Sequence, residues 1–165
     1  HTYGCHDIWQ RYDKGRQPVS HARTRWQDAL DLPAAWDMLH VRNLLLSRPF
    51  LGRIPDQSLL AGPAGNGADR VRATRGGDGS YAFVYVPTGK AVAVDLKKLS
   101  GAKIKAWWFD PRTGQSQAIG TFEPKASVSF DPPGAPGRGN DWVLVLDDEG
   151  KGYPRPGAPI TLGGR

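Results

Sequence analysis

From about residue 70 onward the chain alternates short apolar runs with clusters of turn-forming residues. The runs are Val71 to Arg75, Tyr81 to Val86, Ala91 to Leu96, Lys103 to Asp110, Gln115 to Gly120, Ser127 to Asp131 and Trp142 to Asp147, separated by breaks such as GGDGS, PTGK, SGAK, DPRTGQ and DPPGAPGRGND. Strand-forming runs at about ten-residue spacing, with turn signals between them, mark an antiparallel sandwich or barrel. No helical period interrupts them. The pattern predicts a mainly β fold, an antiparallel β-sandwich of about seven or eight strands over residues 71–150.

Alternation within the runs says which faces are covered. In Tyr81 to Val86 the side chains at 81, 83 and 85 are aromatic while those at 82, 84 and 86 are small or aliphatic, and Trp142 to Leu146 is likewise apolar on both faces. A strand with two apolar faces is covered on both sides. A two-layer sandwich normally leaves one face to water, so a neighbouring domain is expected over the outer face. In Lys103 to Phe109 the consecutive tryptophans must face opposite ways. Trp108, on the side of Ile104 and Ala106, is the predicted core residue. Trp107, on the side of Lys103 and Lys105, is predicted to meet the neighbouring domain rather than to form a ligand platform.

The first sixty residues read differently. Residues 1–12, HTYGCHDIWQRY, resemble a strand end running into a loop, and a helical region follows from about Trp26 to Arg48. Pro33 suits its first turn, Asp31 a position near the N-cap, and Pro49 a stop. Trp36, Met38, Leu39, Val41, Leu44, Leu45 and Leu46 cover more than one stripe of that helix. One short strand and one such helix cannot bury this surface between them. The segment is therefore expected to be a remnant of a larger domain. The stretch AGPAGNG at 61–67 has linker composition. The expected organisation is a tail of another domain over 1–60, a linker over 61–70, the sandwich over 71–150 and a C-terminal tail over 151–165.

Composition narrows the function. The chain has 165 residues, 39% of them hydrophobic, with 6 Trp, 5 Tyr, 5 Phe, 21 Gly and 14 Pro. This composition supports a packed core joined by tight turns. The formal charge of +6 and pI near 9.7 are spread along the chain without a basic run, which reads as a mixed solvated surface and predicts no nucleic-acid partner. No apolar run reaches membrane-spanning length, so no membrane partner is expected. Cys5 is the single cysteine, so no disulfide forms within the chain. The chain opens at His1 without a methionine or a signal pattern, and the expectation is that a leader was removed or that the chain is cut from something longer.

Candidate chemistry is sparse. His1, His6, His21 and His40 lack metal-ligand spacing, one cysteine cannot complete a zinc site, and Asp147-Asp148-Glu149-Gly150 lacks the spaced oxygens of a calcium loop. No metal and no cofactor is expected. Cys5 and His6 are adjacent, and on an extended strand they would point apart, which rules out a nucleophile and base pair. The glycine-rich GPAGNG precedes a strand, not a helix, and is no phosphate loop.

Two stretches carry a resemblance. Thr2-Tyr3-Gly4, His6, Ile8-Trp9-Gln10 and Tyr12, then Trp26, Ala29-Leu30-Asp31-Leu32-Pro33, Ser47-Arg48-Pro49 and Pro55-Asp56-Gln57, resemble the end of apiosidase-like glycoside hydrolase barrels. Asp78-Gly79-Ser80-Tyr81, Asp95-Leu96, Ala106 to Gly114 (AWWFDPRTG) and Asp141-Trp142-Val143-Leu144 are similar to the domain named the putative collagen-binding domain of a collagenase. The resemblance implies a TIM-barrel remnant before the sandwich, with Tyr3 to Trp9 as the last barrel strand and its loop at the face where barrel enzymes place their sites. It implies substrate-binding roles for Tyr3, His6 and Trp9 on a sugar; the competing reading makes Tyr3 and Trp9 ordinary core aromatics. Glycoside hydrolysis needs two carboxylates about 5 to 9.5 Å apart. In this family they lie on earlier barrel strands, and Asp7 is the sole acid of the motif. The chain alone is therefore expected to be inactive, with no catalytic residue. Trp107, Tyr85 and Trp36 are the candidate domain-interface residues. The resemblance further implies a carbohydrate partner reached through the barrel and an extracellular or periplasmic location. The alternative is a stand-alone binding module for collagen or polysaccharide.

Overall fold

In the computed structural model, the structure describes residues 4–159. Three helices, α1 (His6–Trp9), α2 (Trp26–Ala29) and α3 (Pro33–Leu46), precede eight strands: β1 (Arg53–Pro55), β2 (Arg72–Gly76), β3 (Tyr81–Val86), β4 (Val92–Asp95), β5 (Ile104–Phe109), β6 (Ser116–Phe122), β7 (Ser127–Phe130) and β8 (Trp142–Asp148). The strands form a six-stranded sheet in the order β1-β2-β3-β8-β5-β6 and a two-stranded sheet of β4 and β7. The named strand pairs are antiparallel. The sandwich expected from the alternation is present, and each expected run from Val71 onward overlaps one strand, with ends that differ by at most two residues.

One strand precedes the linker-like stretch. Ile54 and Pro55 of β1 pair with Arg75 and Thr74 at the sheet edge, a position that tolerates a proline because its missing N–H faces away from the ladder. Three residues were too few to signal a strand.

The period-two pattern sorts the six-stranded sheet into two faces. Ala82, Val84 and Val86 of β3, Ile104, Ala106 and Trp108 of β5, and Leu144 and Leu146 of β8 face the small sheet, where Val92, Val94 and Phe130 meet them with Leu59 and Leu96 in one core. Trp108 is buried here, as its strand position predicts. The opposite face carries Tyr81 and Phe83 of β3, Phe109 of β5, and Val143 and Val145 of β8 in a second core.

Much of the cover for that second face comes from within the chain. Leu44 of α3 is buried among Tyr81, Phe83, Phe109, Val143 and Val145, with Leu45, Trp107 and Tyr153 packed alongside. The neighbouring domain inferred from the two-sided strands is thus replaced, over this part of the face, by the C-terminal half of α3 and by Tyr153. The sequence carried the apolar face but not the identity of its cover.

Two further expectations change. Residues His6–Trp9 form a helical turn rather than a strand end, and α1 packs on α2. The helix expected over 26–48 is broken after Ala29: Leu32 is extended (φ −63°, ψ 146°) because the ring of Pro33 disfavours helical backbone in the residue before it. Pro33 begins α3, but Asp31 does not cap it; Leu32 holds the N-cap without a side-chain bond.

Candidate functional site

Three places carry the functional candidates. The first is the loop over residues 4–27. Trp9 is 63% exposed, and its indole Nε1 donates to His6 Nδ1 at 3.0 Å across one helical turn. The pair presents an aromatic surface with its edge held, suited to stacking on a sugar. Tyr3, the third candidate of this group, lies outside the described residues. Within the described residues Trp9 is not packed into either core. Asp7 turns inward instead. Its Oδ1 accepts the backbone N–H groups of Arg23 at 2.7 Å and Thr24 at 2.9 Å, and Oδ2 accepts the Cys5 thiol at 3.4 Å. The Thr24 amide, then that of Arg23, holds this carboxyl below its ordinary value of 3.8. Asp7 is an ionised loop tie. Cys5 and His6 are parted because the thiol is engaged by Asp7 and the imidazole by Trp9.

The second place is α3 and the sheet beneath it. Arg48, two residues after the helix, donates from Nε and Nη2 to the two carboxylate oxygens of Asp147, near the end of β8 on the apolar face. Burial pushes the Asp147 carboxyl up from its ordinary value, while the Arg48 guanidinium opposes that rise. Next to it, Arg53 donates to the Leu45 carbonyl at 2.8 Å and lies 4.5 Å over the Phe83 ring, and the Tyr81 hydroxyl donates to the Pro49 carbonyl at 2.6 Å. These bonds fix the corner after α3 on the sheet. Sequence reasoning missed Arg48, Arg53 and Asp147 as anchors; the available signal was an aspartate closing the otherwise apolar run of β8. Trp107 joins the core under this helix and carries Lys105 Nζ 4.7 Å over its ring. On the helix itself Trp36 is 59% exposed, Leu39 46% and Leu46 40%. Exposed Phe50 and Leu51 follow in sequence.

The third place is an open groove of about 570 Å³ on the sandwich, lined in part by Tyr85, Pro87, Lys90, Pro136, Arg138 and Asp141. The Tyr85 hydroxyl donates to Asp141 Oδ2 at 3.3 Å. Of the three candidate interface residues, then, Trp107 and Trp36 belong with α3, whereas Tyr85 lines a groove whose described lining begins at Ala68. Among the described residues no three His, Cys, Asp or Glu side chains cluster as a metal site. No described helix is long and apolar enough to cross a membrane.

The described chain is thus an aromatic-rich β-sandwich clamped to a helical segment. Residues 54–147 match the family model described as "Putative collagen-binding domain of a collagenase", and the chain belongs to that family. Residues 1–52 match the model "Apiosidase-like, catalytic domain". Among solved structures, a protein titled "Glycoside hydrolase" is 39% identical, with a TM-score of 0.83, over 91% of this chain and 33% of its own. A glycoside hydrolase family 5 protein from Bacteroides vulgatus ATCC 8482 is 38% identical, with a TM-score of 0.86, over 98% of this chain and 35% of its own. The chain thus spans about a third of the length of the solved structures it matches. No curated protein matches it.

Proposed function

We propose that the chain is the C-terminal portion of a glycoside-hydrolase-like protein, in which a non-catalytic β-sandwich packs on and supports a carbohydrate-active barrel. The observation that carries this reading is the two-sided use of α3. Its inner side is fixed to the sheet through Leu44 and, just beyond its end, the Arg48–Asp147 pair, while Trp36, Leu39 and Leu46 stay exposed on its outer side. An apolar patch on a rigid element is a surface made for a partner. The match of residues 1–52 to a catalytic-domain model supports the barrel as that partner.

In this arrangement Trp9 stacks on a sugar ring at the mouth of the barrel, His6 orients the indole, and Tyr3 is a further sugar-binding residue. The acid and the base or nucleophile come from other strands of the barrel, since Asp7 is committed to its two amides. An extracellular or periplasmic location is part of the same reading.

The test is the 165-residue chain in solution, by light scattering and by binding of a hydrophobic dye. Self-association or dye binding is expected, and Trp36→Lys with Leu39→Lys should reduce it. A monodisperse monomer that binds no dye would overturn the reading.

A further inference from the structure

We infer that the Tyr85 groove is a binding site for a neutral glycan chain. The inference goes beyond the supporting role, because none of the groove's lining residues belongs to α3 or to the segment before β1.

A pyranose ring has an apolar C–H face and a rim of hydroxyls that both donate and accept. It is held by an aromatic face flanked by polar groups of both kinds. Tyr85 supplies the aromatic: it is 39% exposed, in contrast to Tyr81 and Phe83 earlier on the same strand face, which are buried. Its hydroxyl is tied to Asp141, so the ring is fixed before any ligand arrives. Burial, and then the Asp141 charge, push the phenol up from its ordinary value. Pro87 and Pro136 add apolar surface beside it.

Charge selects the class of polymer. Asp69 and Asp141 oppose Lys90 and Arg138 in the groove lining, and Lys90 Nζ is paired to Asp69 at 2.8 Å. The lining carries no net charge to attract a polyanion, yet offers carboxylates and cations for hydroxyl groups. An extended polyproline ligand docks in aromatic-lined grooves. Here Tyr85 is the single aromatic of the lining, which favours the glycan.

The wall is also built in advance. Gly137 N–H donates to the Thr88 carbonyl at 2.9 Å, and Asn140 Nδ2 donates to the carbonyls of Pro133 at 3.0 Å and Ala135 at 3.1 Å. Gly89, at φ 60°, lies so close to Asn140 that a Cβ would collide with its amide. A pinned loop adds little ordering cost when a ligand binds.

The experiment is affinity electrophoresis and calorimetry of the full 165-residue chain with arabinoxylan, galactomannan and mixed-linkage β-glucan, beside polygalacturonate and a triple-helical Gly-Pro-Hyp peptide. At least one neutral polysaccharide is expected to bind. Tyr85→Ala should weaken that binding about tenfold, the cost of truncating one central aromatic anchor, and Tyr85→Phe should weaken it far less. Leu51→Ala, at an exposed position outside the groove lining, should leave it unchanged. Should Tyr85→Ala fail to fold, Lys90→Ala with Asp141→Asn takes its place, with the same expected loss. Binding to none of the neutral polymers, binding only to polygalacturonate or to the collagen peptide, or binding indifferent to these substitutions overturns the inference. The Trp36 and Leu39 substitutions, which test the supporting role, lie outside the groove, so the two readings fail independently.

Discussion

Arg48 grips Asp147 through two parallel hydrogen bonds, Nε to Oδ1 at 2.8 Å and Nη2 to Oδ2 at 2.7 Å, joining positions 99 residues apart. Both side chains are almost fully buried, at 0% and 5% exposure. Desolvating two ions offsets most of their attraction, so the pair itself adds little stability. Removing one partner is another matter, because it strands the other charge in an apolar face. Arg48→Ala is expected to cost about 3–5 kcal/mol in chemical denaturation. Arg48→Met with Asp147→Leu should recover most of that loss. A single substitution as mild as the double one would show that the pair is not what clamps this corner to the sheet.

The same helix is seated a second time by a glycine. Gly114, in the turn between β5 and β6, has φ 70°, and a Cβ there would run into the imidazole of His40 on α3. Gly114→Ala should therefore cost about 2–4 kcal/mol, combining left-handed backbone strain with overpacking. In a His40→Ala background the steric part disappears and the cost should fall to about 1–2 kcal/mol. Equal costs in the two backgrounds would mean that the helix does not rest on this turn.

Much of the sandwich was legible because strand period is a local property. The alternation in Tyr81 to Val86 identified both apolar faces, and the tryptophan doublet placed Trp108 inward without any knowledge of partners. What covers a face is not local. Nothing near β8 announces that Arg48 will reach Asp147, and nothing in the helix periodicity separates Leu44, which is buried, from Leu46, which is exposed. The candidate site divided in the same way. Trp9 was singled out through the resemblance of residues 2–12, but a strand was assigned where a four-residue helix forms, because the tie from Asp7 to residues 23 and 24 spans a loop that no short-range pattern records. Tyr85 was grouped with the interface by its strand face, although the groove it lines is built from loops on either side of Thr88 and Gly137.

The tryptophan doublet separates packing from polarity. Trp108 is buried between the sheets, so Trp108→Ala should lose about 3–5 kcal/mol. Trp107 is half-buried, and its Nε1 is enclosed without a hydrogen-bond partner; it lies near enough to the Asp147 carboxyl to favour the anion slightly, but outside bonding geometry. Trp107→Phe removes that unpaired donor, which costs about 1–3 kcal/mol to keep, together with some apolar contact. Its net effect should therefore fall within about 1 kcal/mol of zero. Trp108→Phe leaves a void instead and should be clearly destabilising. Thermal melts of the two phenylalanine variants decide this, and a large loss in Trp107→Phe would mean that the indole N–H is bonded after all.

Asp7 supplies a pH-dependent tie. Its carboxylate accepts the Thr24 and Arg23 amides, so its pKa in the folded chain lies below the ordinary 3.8 that it has when unfolded. A group lowered in this way contributes its stabilisation above the unfolded value, and the contribution is lost as pH falls through the folded one. In an acid titration followed by NMR, the Arg23 and Thr24 amide signals should move together with the Asp7 carboxyl, with a midpoint below 3.8. In Asp7→Ala those two amides should sit at their released positions at every pH. A shared midpoint at or above 3.8 would mean that the loop does not favour the carboxylate, and Asp7 would again be free to act as an acid beside Trp9.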